Sequence, residues 1–506
     1  MIKLNDIDNT NINQEPIYEK DRRIEYFIKL LEKKGFIVQE GKIQYIDILK
    51  LVSEGKCSSA LGNIVGAPYA TYILPPAPNQ MPSPAQRPPK GYDPDNPSNY
   101  PPNLDFVQTG VHYKLRSDEA IVLIGQTPPP SAYFCFRSYL ALVENKPEKD
   151  YRDKVTDGDD LTGYYHFIGA SLGDQINNYF IWTNKTPYGA FGKPFDASTI
   201  IITTADKRIN QQMRDALNVS GFCHSIMNND NIPLDLVNMG LEKGKDHFSF
   251  VMRANIFQDS LAGWDYIYNI EKYFTVLRII PQKPYPCSHP WSIPKMRTRE
   301  ICTNEFQVIP TARNTLDYLR NQIFKKYKNS QYHVIDLDFN LAAIENYESI
   351  LQDVNTWIDN KDTIYVKTES FQFDSDDDFL IVYGVNSTQT GFADFINVSL
   401  YGDELWNGVA GTVFSDELQY PASEYFPECD KNGKNYYVMK LARQSTEGNE
   451  VIIPYSTDNP KGFAYGVDNN QKVFLVIRMY INQKTKVASA PFDIIWGHAI
   501  LFKKRK

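Results

Sequence analysis

Apolar residues in this chain come in short unbroken runs of strand length. Ala120-Ile-Val-Leu-Ile124 and Tyr133-Phe-Cys-Phe-Arg-Ser-Tyr-Leu140 are separated by Gly125 and Pro128-Pro129-Pro130. Phe248-Ser-Phe-Val-Met-Arg-Ala254 and Val473-Phe-Leu-Val-Ile-Arg-Met-Tyr480 have the same character. Such runs between turn residues predict buried strands. No window approaches the roughly 18 consecutive apolar residues of a membrane-spanning helix, so no membrane span is expected. The 33 Tyr and 28 Phe favour pleated sheets in the same way.

Helical patterns are fewer. Residues 18–34 place Ile24, Phe27, Ile28 and Leu31 on one face and end at Gly35, a C-terminal cap. A strand at Thr199–Thr203 runs into a helix with Asp206 as N-cap and Ile209, Met213, Ala216 and Leu217 as its apolar stripe. A short helical segment is expected over 234–239, and two further helices over 311–328 and 338–358. Eleven prolines lie between Pro75 and Pro102, so that stretch cannot join a sheet ladder. It reads as a strap or a linker, with Tyr92 and Tyr100 as the anchors a strap would bury. The expected fold class is α+β and predominantly β, with two β-rich halves, sandwich or jelly-roll-like, joined through a helical section. The boundaries follow: 1–74 helical and mixed, 75–105 Pro-rich, 106–310 a first β-rich domain with an α/β insert, 311–360 a helical connector, 361–506 a second β-rich domain.

A shift of 259 positions sets Asp118 on Asp377, Gly125 on Gly384, Tyr133 on Phe392 and Phe136 on Phe395. An acidic turn, a buried strand, a Gly-led loop and an aromatic strand recur in that order, as a duplication or a coincidence of pattern would produce. Asp362-Thr-Ile-Tyr365 and the strand Val473–Tyr480, which carries Arg478-Met-Tyr480, resemble bacterial tandem β-sandwich families of unknown function. The resemblance covers the last third of the chain. It implies a sandwich or jelly-roll-like architecture and no particular chemistry.

A net charge of −8 with no extended basic face argues against nucleic-acid binding, and Lys503-Lys504-Arg505-Lys506 is too short to alter that. Residues 1–19 are polar, with no apolar signal core, which makes a cytoplasmic location the default expectation. The six cysteines contain no Cys-x-x-Cys, although Cys287 and Cys302 flank a Pro-rich loop and could pair. No cofactor and no metal are expected. The histidines show neither His-x-x-x-His nor His-Glu-x-x-His, and Asp374-Ser-Asp-Asp-Asp378 lacks the Gly and Glu of a calcium loop.

The chemically informative residues are arginines inside apolar strands: Arg137, Arg253 and Arg478. A guanidinium in such a strand meets a buried carboxylate, grips an anionic ligand, or snorkels to solvent. Alternation puts Cys135, Arg137 and Tyr139 on one face of their strand. Arg297 and Arg299, with Glu300 and Glu305, form an alternating cluster that could orient a carboxylate or serve as a salt-bridged loop. The Gly-rich segment Gly163–Asp174 reads as a functional loop between scaffold elements and offers His166 and Asp174 as an acid/base pair, whereas Cys135 reads as a core thiol. These residues point to a small-molecule-binding protein or enzyme. It would hold an anionic ligand with Arg137, Arg253, Arg299 and Tyr139, and Arg137 and Arg253 would share a cavity beside Gly163–Asp174. The other reading is a non-catalytic β-sandwich protein that contacts a protein, glycan or envelope surface.

Overall fold

The computed structural model describes residues 21–55, 59–78, 80, 111–151, 154–157, 160–299, 303–342, 346–414, 420–427 and 431–505. Most of the proline-rich stretch, with Tyr92 and Tyr100, lies outside these residues, as do Glu300 and Cys302.

In the first half the strands are β1 (Phe36–Ile46), β2 (Tyr69–Ile73), β3 (Ala120–Gln126), β4 (Ser131–Glu144), β5 (Lys154–Asp157), β6 (Asp160–Ser171), β7 (Ile176–Asn177), β8 (Ser198–Thr204), β9 (Met227–Asn231), β10 (His247–Phe257) and β11 (Phe274–Pro281). They pair in the order β5-β6-β4-β10-β2-β1-β11-β3-β8-β9, with β7 on β4. The second half contains β12 (Tyr332–Leu337), β13 (Phe339–Leu341), β14 (Thr363–Thr368), β15 (Phe371–Gln372), β16 (Phe379–Val385), β17 (Phe395–Gly402), β18 (Asn407–Phe414), β19 (Tyr436–Ala442), β20 (Val451–Ile452), β21 (Lys472–Tyr480) and β22 (His498–Lys504). Its sheets run β12-β22-β16-β19-β20 and β13-β14-β21-β17-β18, with β15 on β21. The two orders correspond: β6-β4-β10-β2 is matched by β18-β17-β21-β14, and β11-β3-β8-β9 by β22-β16-β19-β20. Even the parallel pairing of the last two strands recurs. The chain is therefore α+β and predominantly β, in two β-rich halves.

The halves differ in the strand that joins their layers. β1 pairs with β11 along residues 36–41 and with β2 along residues 42–46. At the changeover a Cβ on Gly41 would fall 2.7 Å from Leu74 Cδ2 and 2.9 Å from the Ile73 carbonyl, so this close approach requires glycine. In the second half the same task is divided, β12 pairing with β22 and β13 with β14.

Each half is a sandwich with helices on one outer face. Phe134, Phe136 and Leu140 of β4 enter the first inter-layer core with Tyr72 and Phe250, as period-two alternation requires. Leu380, Val398, Leu441 and Ile477 form the second such core. Helix Arg22–Lys33, capped by Asp21 and stopped at Gly35 (φ +87°), buries Ile24, Phe27 and Leu31 against the outer face of β3 and β8. Helix Lys207–Val219, capped by Asp206, adds Ile209 and Met213 to that layer. Leu316, Leu319 and Ile323 of helix Ala312–Tyr327 do the same against Ile381 and Ile500. Each such side chain contributes about 1.5–3 kcal/mol.

Several expectations are corrected. Residues 338–358 are not one helix but β13 followed by helix Asn346–Gln352. Their apolar periodicity has no face to cover: Leu341 is 46% and Leu351 74% exposed, while Asn346 and Ser349 are buried. Consequently 311–360 is more than a connector, since β12 and β13 belong to the second half's sheets. Residues 1–74 likewise do not stand apart, because β1 and β2 are central in the first sheet. Gly163–Ser171 is part of β6 rather than a loop, and 234–239 holds only a single 3-10 turn at Leu234–Leu236. Asp374–Asp378 is a turn in which Asp378 Oδ2 accepts from the Asp374 and Ser375 amides.

Two buried acids give tests. Arg278, fully buried in β11, donates from Nε and Nη2 to Glu119 Oε2 at 2.9 and 2.7 Å. Glu119→Ala strands that guanidinium and should lower unfolding free energy in urea by about 3–5 kcal/mol. Glu305 is fully buried; its carboxylate accepts from Thr390 Oγ1 at 2.5 Å and the Ile495 amide at 2.7 Å. Burial pushes its carboxyl up to about 7 from the ordinary 4.5. A raised carboxyl stabilises the fold fully below the unfolded value and loses that contribution as pH rises through the folded one. Melting temperature should thus fall between about pH 5 and pH 8, and Glu305→Gln should flatten that part of the profile.

Candidate functional site

Two loops cross between the halves, one from each. Residues 59–64, leading into β2, lie on the second half: the Ala60 and Gly62 amides donate to the Leu405 and Trp406 carbonyls at 2.8 and 2.9 Å. The Gly408 amide donates to Asn63 Oδ1 at 2.9 Å. Residues 355–360, leading into β14, lie on the first half in the same way. There the Thr356 amide donates to the Ile168 carbonyl at 2.9 Å and the Ser171 amide to Asp359 Oδ1 at 2.6 Å. Each loop is held by one arginine and one tyrosine of the opposite half. Arg253 Nη2 donates to the Ile358 carbonyl at 2.7 Å, and Tyr139 Oη donates to the Asp359 carbonyl at 2.9 Å. Arg478 Nη2 donates to the Gly62 carbonyl, and Tyr401 Oη to the Asn63 carbonyl, both at 2.8 Å. Each tyrosine oxygen also accepts from Nη1 of its arginine.

Strand register makes these two sets equivalent. Arg253 stands opposite Tyr69 in β2, and Arg478 opposite Tyr365 in β14. Ser249, four residues before Arg253, pairs with Tyr139; Phe474, four before Arg478, pairs with Tyr401. The loop backbones agree as well: φ is +54° at Leu61 and +53° at Trp357, then +65° at Gly62 and +61° at Ile358. Left-handed conformations at residues other than glycine cost on the order of 1–3 kcal/mol each, and here they are held by hydrogen bonds from the facing half.

Between the loops lies a cavity of about 630 Å³, within the usual range of small-molecule sites. Arg253 and Arg478 both line it, each only 5% exposed. Among the described residues neither pairs with a carboxylate. The buried strand arginines elsewhere do: Arg137 Nη1 lies 2.9 Å from Asp230 Oδ1, and Arg278 has Glu119. Asp359, the cavity's carboxylate, accepts from the Ser171 amide and hydroxyl. The walls are otherwise largely apolar and aromatic. Trp357 and Trp406 stack at 4.5 Å, and Lys367 Nζ lies 5.6 Å from the Trp406 ring and 5.5 Å from that of Phe474. Ser249 Oγ, His112 Nδ1 and Trp406 Nε1 are buried atoms of lining residues with no hydrogen-bond partner among the described residues. Burial, only partly offset by the adjacent arginines, raises the Tyr139 and Tyr401 phenols above their ordinary value. Both hydroxyls therefore stay protonated, able to donate to a loop carbonyl while accepting from a guanidinium.

The remaining residues singled out from the sequence are scattered. Arg137 is outside the cavity, its guanidinium held by Asp230 and by the Leu172 and Asn231 carbonyls. Arg299 Nη2 donates to the Lys361 and Thr363 carbonyls. His166 and Asp174 do not meet. His166 Nε2 lies 2.6 Å from Asp353 Oδ1, its ring stacked on Tyr151 at 3.7 Å, and burial lowers its pKa. Burial alone would raise Asp353, but hydrogen bonds from Tyr151, Lys149 and His166 hold it well below the usual carboxylate range. Asp174 Oδ2 accepts from the Arg297 amide at 2.6 Å. The Cys135 thiol is pushed up to about 11, chiefly by burial, and is not a nucleophile at neutral pH.

No protein-family model matches the chain, and no curated protein matches it. Two solved structures are similar at low values. An uncharacterized protein from Burkholderia cenocepacia is 8% identical, with a TM-score of 0.36 over 96% of this chain and 86% of that one. The VPA0106 protein from Vibrio parahaemolyticus is 10% identical, with a TM-score of 0.31 over 78% of this chain and 88% of that one.

The cavity's aromatic residues, Tyr69, Tyr365, Trp357 and Trp406, were not selected from the sequence. The available signal was the recurrence of Phe250-Val-Met-Arg253 as Leu475-Val-Ile-Arg478, which fixes the second half's register. The equivalence of the clasps is testable. Tyr139→Phe and Tyr401→Phe each remove the acceptor of a buried guanidinium N–H and a donor to a loop carbonyl; the Asp359 carbonyl keeps a longer bond from Gln175 Nε2, at 3.4 Å. Each should cost about 1–3 kcal/mol in chemical denaturation, the two costs agreeing within a factor of about two.

Proposed function

We propose that the protein binds a small anionic molecule with an apolar body in the cavity between its halves, and that Arg253 and Arg478 supply the positive charge. One observation carries the reading: two desolvated guanidiniums line one cavity without a carboxylate partner, whereas Arg137 and Arg278 each have one. A buried charge without a counter-charge is costly, and an anion from solution would remove that cost. The clasp supports the reading further, because it fixes both guanidiniums before any ligand arrives. Arg253 retains its place from the sequence, Tyr139 becomes the group that orients it, and Arg478 replaces Arg137 as its partner.

Binding is a better description than turnover. Of the cavity's serine and threonine hydroxyls, Thr71 Oγ1 donates to the Phe250 carbonyl, Thr356 Oγ1 donates to the Gly169 carbonyl, and Ser249 Oγ has no hydrogen-bond partner among the described residues to take its proton. The same reading treats the chain as two tandem copies of one unit, in keeping with the tandem sandwich families it resembles, with the site on the axis that relates them. In that alignment β3 and β16 correspond at the offset of 259, while Tyr139 and Tyr401 show that the next strand is displaced by three further residues.

Anilinonaphthalene sulfonate, an apolar monoanion, is a direct probe. Fluorescence titration should show one saturable site, with Arg253→Met and Arg478→Met each weakening it about tenfold or more, the worth of a charge-assisted hydrogen bond. Arg320→Met, on the exposed face of helix Ala312–Tyr327, should leave the titration unchanged. If the Met variants melt earlier yet bind the probe as tightly as the wild type, the arginines serve only the clasp.

A further inference from the structure

The two halves of the cavity wall agree at the clasp and disagree beside it. Tyr69 and Tyr365, Tyr139 and Tyr401, Arg253 and Arg478 are like for like. Thr71 and Lys367, opposite Val251 and Val476 respectively, are not. Nor are Ser249 and Phe474, which pair with the two clasp tyrosines. The third divergent pair is Gly169 and Trp406, each two residues before the partner of a clasp tyrosine (Ser171 and Gly408). Both are left-handed, at φ +54° and +50°. At Gly169 a Cβ would lie 2.6 Å from Phe167 Cε1 and 2.8 Å from the Ile358 amide nitrogen, so no side chain fits there. At Trp406 the same backbone carries an indole into the cavity wall.

The result is a cavity with two unlike ends. The end built by the first half has small hydroxyl side chains, Thr71 and Ser249, and the half-buried imidazole of His112. The end built by the second half is aromatic, with Trp357 stacked on Trp406, Phe474 inclined to Trp406 by 57°, and the Lys367 ammonium close to the Trp406 and Phe474 rings. Lys367 pairs with no carboxylate among the described residues, which makes it the third such cation on this wall. Asp359, the carboxylate that lines the cavity, is taken up by the Ser171 amide and hydroxyl, which leaves three cations, spread from the clasp to the aromatic end, for a ligand to answer.

We propose, resting on the reading above, that the ligand is an aromatic molecule bearing two acidic groups. One acid lies between Arg253 and Arg478, the ring packs on the Trp406–Phe474 surface, and the second acid meets Lys367. The neutral hydroxyl end, with Ser249 Oγ unpartnered and Ser249 itself only 3% exposed, takes an uncharged polar substituent. The unpaired Trp406 Nε1 is a donor aimed at an oxygen or nitrogen acceptor on the ring system.

Competition against bound anilinonaphthalene sulfonate tests this with three simple anions: naphthalene sulfonate, naphthalene disulfonate and octane sulfonate. In the wild type naphthalene disulfonate should bind about tenfold tighter than naphthalene sulfonate, and octane sulfonate weaker than either. Lys367→Met should lower the affinity for the disulfonate to that of the monosulfonate. Trp406→Leu should bring naphthalene sulfonate down to the affinity of octane sulfonate. Equal affinity of the two naphthalene anions, or octane sulfonate binding as tightly as naphthalene sulfonate, overturns the proposal. In that case the anion site itself still stands so long as Arg253→Met and Arg478→Met weaken all three. Failure of every anion to displace the probe from the wild type overturns both readings.

Discussion

The contact between the two sandwiches centres on a reciprocal hydrogen-bonded exchange, with further bonds such as Tyr133 to Asp362 and Asn346 to Ser171 around it. Each half extends one short loop onto the other, and each receives the partner loop with an arginine and a tyrosine. Because every link is made twice, by Arg253 with Tyr139 and by Arg478 with Tyr401, the halves meet as the two faces of an isologous dimer do. The contacts themselves are modest in number. Their effect comes from burial: a guanidinium 5% exposed must find its acceptors inside the protein, and the loop carbonyls supply some of them. The loops in turn need those donors, since Leu61, Trp357 and Ile358 are held in a backbone conformation that their side chains disfavour. Apolar contact adds to this where Tyr133, Phe395 and Tyr480 pack between the halves, with ring centroids 4.3 to 5.9 Å apart.

This exchange also accounts for the position of the cavity. Two curved sheets docked face to face would close on each other if their side chains interdigitated. Here the loops occupy the rim and keep β2 and β10 of one half apart from β14 and β21 of the other. The space left is lined by the cavity-facing residues of those four strands, whose opposite faces belong to the sandwich cores. Since side chains alternate, a strand can carry Phe250 and Met252 into a core while it aims Val251 and Arg253 at the cavity. A rigid sheet thus positions the charges more tightly than a loop would.

Much of the fold was legible in the sequence, and for a physical reason: burial patterns are local. The runs at Ala120–Ile124 and Val473–Tyr480, the cap at Asp206 and the stop at Gly35 each depend on neighbours a few residues away. Where residues near 338–358 misled, the apolar period was real but no surface existed for that face to cover, and β-pairing with β14 took its first turn instead. The site was legible only in part. Chemistry marked Arg253 and Arg478, because a charge inside an apolar strand is anomalous wherever it is found. It could not separate them from Arg137, whose partner Asp230 lies 93 positions away in sequence and comes close only through the pairing of β8 with β9. It also could not join His166 to Asp353, a contact across the boundary between halves. Trp357 and Trp406 looked like ordinary core aromatics, since nothing local shows that a ring will face a cavity.

The span of the clasp along the chain has a consequence for biosynthesis. Gly62 and Arg478 are 416 positions apart, and Gly62 waits for its donor until β21 has been made. By contrast Arg253 and Ile358 are separated by 105 positions and can meet much sooner. As a chain emerges from the ribosome, the first sandwich can therefore gather its own strands and capture residues 355–360 while its own loop is still unclaimed. Throughout that interval Leu61 and Gly62 have no receiving half, and the binding chamber lacks a wall. The chamber is among the last features to form, so a chain that stops short of β21 would carry a folded first sandwich with no site.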